Sequence, residues 1–131
     1  MKFLATTLTL HSKLTYMAFD ELLADKVREA LMNQKDLSEK RMFQGLCFMV
    51  NDKMCVCVRD RELMCRIDAE KVENELEKGN CREMVHNEKV MKGYIFVDES
   101  GYKKQKDFDH LIDLCLEFNK IAKASKKRKT K

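Results

Sequence analysis

Proline and tryptophan are absent from this chain of 131 residues, and glycine occurs only four times. Without proline-rich or glycine-rich stretches the chain lacks a flexible linker, so its length predicts one domain with short tails. No apolar run approaches the roughly 20 residues of a membrane-spanning helix, and we therefore predict no membrane partner. Hydrophobic residues at 44% and charged residues at 37% are typical of a soluble globular domain.

Six cysteines are present, and four of them lie among apolar neighbours in predicted strands: Cys47, Cys55, Cys57 and Cys65, with Cys81 and Cys115 further on. This pattern favours buried free thiols and a cytoplasmic location. Three disulfides in a secreted protein are the alternative. We disfavour it because Cys55 and Cys57 are expected to point to the same face of one strand.

A metal or redox site on Cys47, Cys55, Cys57 and Cys65 is a further interpretation of the cysteines. Structural zinc sites, however, usually use Cys-x₂₋₄-Cys knuckles on turns, so we predict no metal and no cofactor.

The positive charge is concentrated at the end of the chain. The formal net charge is +4, and segment 123–131 holds six basic residues and no acid. The rest of the chain contains 20 basic and 22 acidic residues, so its formal net charge is −2. Lys126, Lys127, Arg128 and Lys129 could bind nucleic-acid phosphates without reading sequence. The simpler interpretation, which we prefer, is a disordered solubilising tail.

Three segments are predicted from the change in composition along the chain. Residues 1–16 form an extension for which three interpretations stay open: a weak imitation of a signal peptide, a region upstream of a true start at Met17, or a strand packed on the domain. Residues 17–122 form the domain, and 123–131 the basic tail.

Helical spacing of apolar residues predicts a long helix from Asp20 to about Asn33, with Asp20 as N-cap, and another from Lys106 to about Ala124. The sequence from Ala69 to Lys78 predicts a short helix, with Asp68 as its N-cap and Gly79 at its C′ position. Residues 40–68 predict an antiparallel meander with tight turns. Residues 81–86 predict an edge strand, and residues 92–98 a strand closed by a turn at Glu99-Ser100-Gly101. The fold class is therefore α+β, with two layers and the two long helices on one face of an antiparallel sheet.

Alternation assigns the strand residues to faces. Phe48 and Val50 share one face, with Cys47 and Met49 on the other. In residues 63–67 the same rule places Leu63, Cys65 and Ile67 on one face and Met64 and Arg66 on the other. In residues 54–58 it places Met54, Val56 and Val58 on one face and Cys55 and Cys57 on the other. Both faces of the central strands are apolar, so we predict that a helix, a terminal segment or a second subunit covers part of the second face.

Three separated motifs carry a family resemblance. The first runs from Lys40 to Phe48 (Lys-Arg-Met-Phe-Gln-Gly-Leu-Cys-Phe), the second from Leu63 to Ile67, and the third is Met91-Lys92-Gly93-Tyr94 followed by Val97-Asp98. In this order they resemble the N-terminal domain of TfoX, the bacterial competence regulator, across residues 17–122. The motif residues expected to be structural are Lys40, Met42, Phe43, Gly45, Phe48, Met91, Lys92 and Gly93. Gln44 stands where the family usually has glycine, so we expect it to avoid positive φ.

The resemblance implies a small non-enzymatic domain. Full-length TfoX proteins carry a further helical domain, whereas this sequence continues past residue 122 only with the basic segment. Catalysis by cysteine needs a base beside the thiol, and the sequence pairs none of His11, His86 and His110 with a cysteine. We therefore predict no catalytic residues, a protein partner of open identity and a role in transcription regulation. The apolar second face also predicts a homodimer, and nucleic-acid binding through the tail is the main alternative.

Overall fold

The computed structural model describes residues 19–123. The predicted segment 1–16 and residues 124–131 of the predicted tail 123–131, with the basic residues Lys126, Lys127, Arg128 and Lys129, lie outside this range. The described part contains four α-helices, a short 3₁₀ helix and six strands. In chain order they are α1 (Glu21–Leu31), β1 (Leu37–Met42), β2 (Gly45–Val50), β3 (Lys53–Arg59), β4 (Glu62–Arg66), the 3₁₀ helix (Ala69–Lys71), α2 (Val72–Leu76), β5 (Cys81–His86), β6 (Lys89–Val97), α3 (Glu99–Tyr102) and α4 (Gln105–Ile121).

The six strands form one antiparallel sheet in the order β1-β2-β3-β4-β6-β5. Strands β1 to β4 are joined by two-residue turns, β6 then pairs with β4, and β5 lies outside β6. The sheet is therefore open, with β1 and β5 at its edges. The predicted α+β class, the antiparallel meander and the edge position of residues 81–86 are confirmed.

The helices begin where the sequence predicts because their caps are local. The Asp20 carboxylate accepts hydrogen bonds from the amides of Leu22 and Leu23, and the Asp68 carboxylate accepts one from the amide of Glu70. These bonds satisfy amide groups that the first helical turn leaves without partners. Gly79 has the positive φ expected of a helix-ending glycine, +81°, but α2 ends at Leu76 with Glu77 as its C-cap, so Gly79 lies one residue beyond C′. Segment 99–101 differs from the prediction, because it belongs to the one-turn helix α3, capped by Asp98.

The main core lies between the helices and the first face of the sheet. Phe48 and Phe108 are its largest fully buried side chains. The buried residues of α1 (Leu23, Ala24, Val27, Leu31) and the buried apolar residues of α4 (Phe108, Leu111, Ile112, Leu114, Cys115) belong to it. Among the described residues every buried apolar helix side chain joins this core. The prediction that both long helices pack on one face is confirmed.

A second cluster lies on the opposite face of the sheet. It is rich in sulfur and consists of Cys47, Met49, Met54, Cys57, Met64, Met84 and Phe96, with Met42, Phe43, Met91 and Tyr94 packed around it. Its members are 0–5% exposed. The guanidinium carbons of Arg59 and Arg82 lie 4.5 and 4.8 Å from the centre of the Phe96 ring and close one side of the cluster.

One facing prediction is wrong because of a β-bulge. The register runs from Phe48 opposite Val56 to Met49 opposite Met54, so Cys55 is the extra residue on β3. An extra residue reverses the alternation beyond it. Cys55 therefore packs in the main core with Val56 and Val58, whereas Cys57 and Met54 join the second cluster.

The prediction for Gln44 is also wrong. Phe43 and Gln44 have φ of +55° and +60° and form the two-residue turn between β1 and β2. Turns of this kind match the twist of the paired strands, although they place residues in the left-handed region. The adjoining Gly45 serves close approach, because a Cβ there would lie 2.3 Å from the carbonyl oxygen of Val58.

Candidate interaction site on helix α2 and the β5–β6 hairpin

The hairpin of β5 and β6 extends past the rest of the sheet. Strand β6 pairs with β4 only over residues 94–97, and its residues 89 and 90 pair with β5 alone. We call residues 84–93 the hairpin arm. Val85 and Val90 lie opposite each other on the arm and are 60% and 50% exposed. Two facing exposed valines make a small apolar surface that no other described strand covers.

A groove lies between this hairpin and α2. Its volume is about 380 Å³, and it is lined by Ala69, Glu70, Val72, Glu73, Leu76, Glu83, Lys92 and Gly93. Val72 and Leu76 provide apolar surface, and Glu70, Glu73 and Glu83 are exposed carboxylates. The groove can therefore accept an apolar side chain that is flanked by basic groups.

Gly93 holds the hairpin close to the start of the 3₁₀ helix. Its carbonyl oxygen accepts a hydrogen bond of 2.7 Å from the amide of Ile67, and its φ is +84°. A Cβ at this position would lie 2.8 Å from the carbonyl oxygen of Ile67. Glycine is required here for both its positive φ and its small size.

A buried carboxylate fixes α2 against α4. Glu75 is 6% exposed, and its carboxylate contacts Lys78 Nζ at 3.2 Å and His110 Nε2 at 2.9 Å. A buried charge is costly unless it is paired, so these two partners stabilise this arrangement. A cavity of about 110 Å³ beside them is lined also by Asn80, Cys81 and Asp107.

The thiol in this cavity is not activated. Cys81 Sγ donates to the backbone carbonyl of Glu75 at 3.2 Å. Burial, and then the negative charge of Glu75, raise the pKa of the Cys81 thiol. A nucleophilic cysteine needs a lowered pKa, and the Nε2 atom of His110 is hydrogen-bonded to Glu75.

The other thiols divide between the two faces of the sheet. Cys47 and Cys57 lie together in the second cluster, whereas Cys55, Cys65 and Cys115 lie in the main core. The four cysteines of the sequence-based metal hypothesis are thus not brought together. Within residues 19–123 no group of three or more His, Cys, Asp or Glu residues is placed to hold a metal ion.

The predicted motif residues are distributed over several different environments. Lys40 is exposed on edge strand β1, Gly45 is buried, and Phe48 is in the main core. Met42, Phe43 and Met91 pack on the second cluster. Lys92 and Gly93 line the groove.

Sequence reasoning missed the Glu75–His110 contact and the exposed valines of the arm. A signal for Glu75 was present, since Val72, Glu75 and Leu76 share one helical face. A carboxylate within an apolar stripe indicates a buried, paired charge. The valines carried no signal, because alternation alone does not show which strand lies beside them.

This architecture defines a class: a small α+β domain in which short and long helices cover one face of an open six-stranded antiparallel sheet. The model of the TfoX N-terminal domain family matches residues 29–119. The chain therefore belongs to the TfoX N-terminal domain family, and the resemblance seen in the three motifs is confirmed. No curated protein matches the chain. No solved structure matches it either.

Within the described part of the chain, no helix combines the length and the apolar character that a bilayer span demands.

Proposed function

We propose that this chain is a non-enzymatic protein-interaction domain that acts in transcription regulation of the competence type. The proposed contact surface is the groove beside α2 together with the hairpin arm. The observation that carries this proposal is the pair of exposed valines, Val85 and Val90, on the same hairpin whose residues Glu83, Lys92 and Gly93 line the groove. The proposed partner is a protein segment with an apolar side chain flanked by lysine or arginine.

Charge supports this choice of partner. Glu70, Glu73 and Glu83 border the groove, with Lys92 as its one basic lining residue. Complementary charge chiefly speeds encounter and selects partners, whereas the buried apolar contact contributes most of the affinity. Binding should therefore weaken with salt without being abolished by it.

The raised pKa of Cys81 supports a non-enzymatic role. The family assignment supports the regulatory part of the proposal. The described cysteines are all free thiols, which supports a reducing compartment such as the cytoplasm.

The test is a pull-down from host extract followed by titration of the captured protein. Wild type is compared with the double variant Val85→Thr/Val90→Thr, which keeps β-branched side chains and strand propensity but removes apolar surface. Leu22→Gln is the matched control, because Leu22 is 80% exposed on α1, away from the groove. We expect the same partner to bind wild type and control equally, and to bind the double variant about tenfold more weakly.

Two other outcomes would contradict the proposed contact surface. Capture that is lost with nuclease, or on deletion of residues 123–131, would assign binding to nucleic acid and the basic tail. A partner bound equally well by the double variant would exclude the arm as the contact surface.

Homodimerisation stays a prediction, and light scattering that shows a monomer at high concentration would contradict it.

A further inference from the structure

Two thiols in the second cluster lie directly opposite each other. Cys47 on β2 and Cys57 on β3 are register partners, and their Sγ atoms are 2.7 Å apart. Directly opposed residues in antiparallel strands have Cα atoms about 4.5–5.5 Å apart. This lies within the range of about 4.4–6.8 Å that a disulfide spans. The backbone is therefore already placed for a bond between the two sulfurs.

The pair is separated from the other described thiols. The sheet itself divides Cys47 and Cys57 from Cys55, Cys65 and Cys115, which belong to the main core. The neighbours of the pair in its own cluster are methionines and aromatic rings. A disulfide formed here would have no competing thiol on the same face within the described residues.

Both thiols are 0% exposed, so a reagent needs an opening. The carbonyl oxygen of Met42 lies 3.7 Å from Cys47 Sγ and 4.0 Å from Cys57 Sγ. Met42 immediately precedes the turn in which Phe43 and Gln44 have positive φ, a strained conformation for residues other than glycine. Strand β1 has no buried residue. The β1–β2 turn therefore adjoins the pair at the edge of the sheet, where it can open without exposing a buried residue of β1.

We propose that Cys47 and Cys57 form a redox-active dithiol that a peroxide converts to a cross-strand disulfide through opening of the β1–β2 turn. One sulfur attacks a peroxide oxygen, the O–O bond breaks, and a sulfenic acid and one water form. The second sulfur then attacks the sulfenic sulfur, the S–O bond breaks, and a second water leaves. In total, two thiols and hydrogen peroxide give one disulfide and two waters. A small dithiol reverses the change by exchange: it is oxidised to its own disulfide and returns two electrons and two protons to the cysteines.

The reaction should be slow in the closed state. The hydrogen bond that Cys47 Sγ donates to Cys57 Sγ, and then burial, raise the pKa of the Cys47 thiol, whereas the thiolate is the attacking form. Oxidation therefore depends on opening of the turn, and this dependence can be measured.

The experiment treats the folded full-length protein with hydrogen peroxide, unfolds it, alkylates the free thiols and maps peptides by mass spectrometry. We expect two of the six cysteines to escape alkylation, a linked Cys47–Cys57 peptide, and full recovery with dithiothreitol. Cys57→Ala should abolish the link. Cys55→Ala is the matched control, because it changes a buried thiol of the same strand on the opposite face, and it should leave the link intact.

A second variant tests the route of access. Gln44→Gly relieves the positive-φ strain, keeps the turn closed more of the time, and should slow oxidation about fivefold. An unchanged rate would overturn the turn as the route. A link that forms only in urea, or a link between any other two cysteines, would overturn the dithiol proposal. Circular dichroism on each variant distinguishes loss of the pair from loss of the fold.

Discussion

Gly93 and Gly79 offer a matched pair of substitutions that isolates the cost of one close backbone approach. Both glycines have positive φ, +84° and +81°. A Cβ at Gly79 would meet nothing within 4 Å, whereas one at Gly93 would lie 2.8 Å from the carbonyl oxygen of Ile67. Alanine at either position therefore introduces the same conformational strain, and only Gly93→Ala adds a steric clash with backbone.

The magnitudes follow from these two terms. Left-handed backbone costs a residue with a Cβ about 1–2 kcal/mol, which is the expected loss for Gly79→Ala. Overpacking adds about 1–3 kcal/mol, so Gly93→Ala should lose about 2–5 kcal/mol. The effect of alanine on the unfolded chain is the same for both variants and cancels in the difference.

Urea unfolding followed by circular dichroism measures both changes in the free energy of unfolding, provided that the slope with urea stays constant. Gly93 also lines the groove, so Gly93→Ala should weaken partner binding while Gly79→Ala leaves it unchanged. Equal losses of stability, within about 0.5 kcal/mol, would refute the close approach of Gly93 to Ile67.

Three further predictions concern stability. Asp20→Ala removes the N-cap of α1 and should lower the free energy of unfolding by about 1 kcal/mol, which is measured as a lower Tm. Asp20→Asn keeps an acceptor oxygen and should retain most of that stability. Phe48→Ala empties a fully buried position and should cost about 3–5 kcal/mol in urea unfolding, and a loss under 1 kcal/mol would contradict its place in the core. Burial, with nearby Glu99 and Asp20, raises the pKa of Tyr102 to about 12. The folded state then binds the phenolic proton more tightly than the unfolded state, so stability present below pH 10 should fall by about 2 kcal/mol between pH 10 and 12. Tyr102→Phe should lack this component, and identical pH profiles would contradict it.

Sequence alone was sufficient for features that depend on local chain geometry. The caps at Asp20 and Asp68 and the positive φ of Gly79 just past α2 are set within about one helical turn, so neighbouring residues define them. The apolar stripe of α4 and the alternation of residues 63–67 follow from the periods of helix and strand. These local elements, with the three motifs, were enough to predict the α+β class and the family.

Tertiary structure decided the features that depend on how strands pair. The bulge at Cys55 arises from the register between β2 and β3, and it reversed the expected face of one thiol. The positive φ of Gln44 follows from joining two twisted strands by two residues. The Glu75–His110 contact joins residues 35 positions apart, and Cys47 meets Cys57 only through strand register. Local periodicity determines which side of its own element a residue occupies, whereas the register and the packing of separate elements determine which residues it meets.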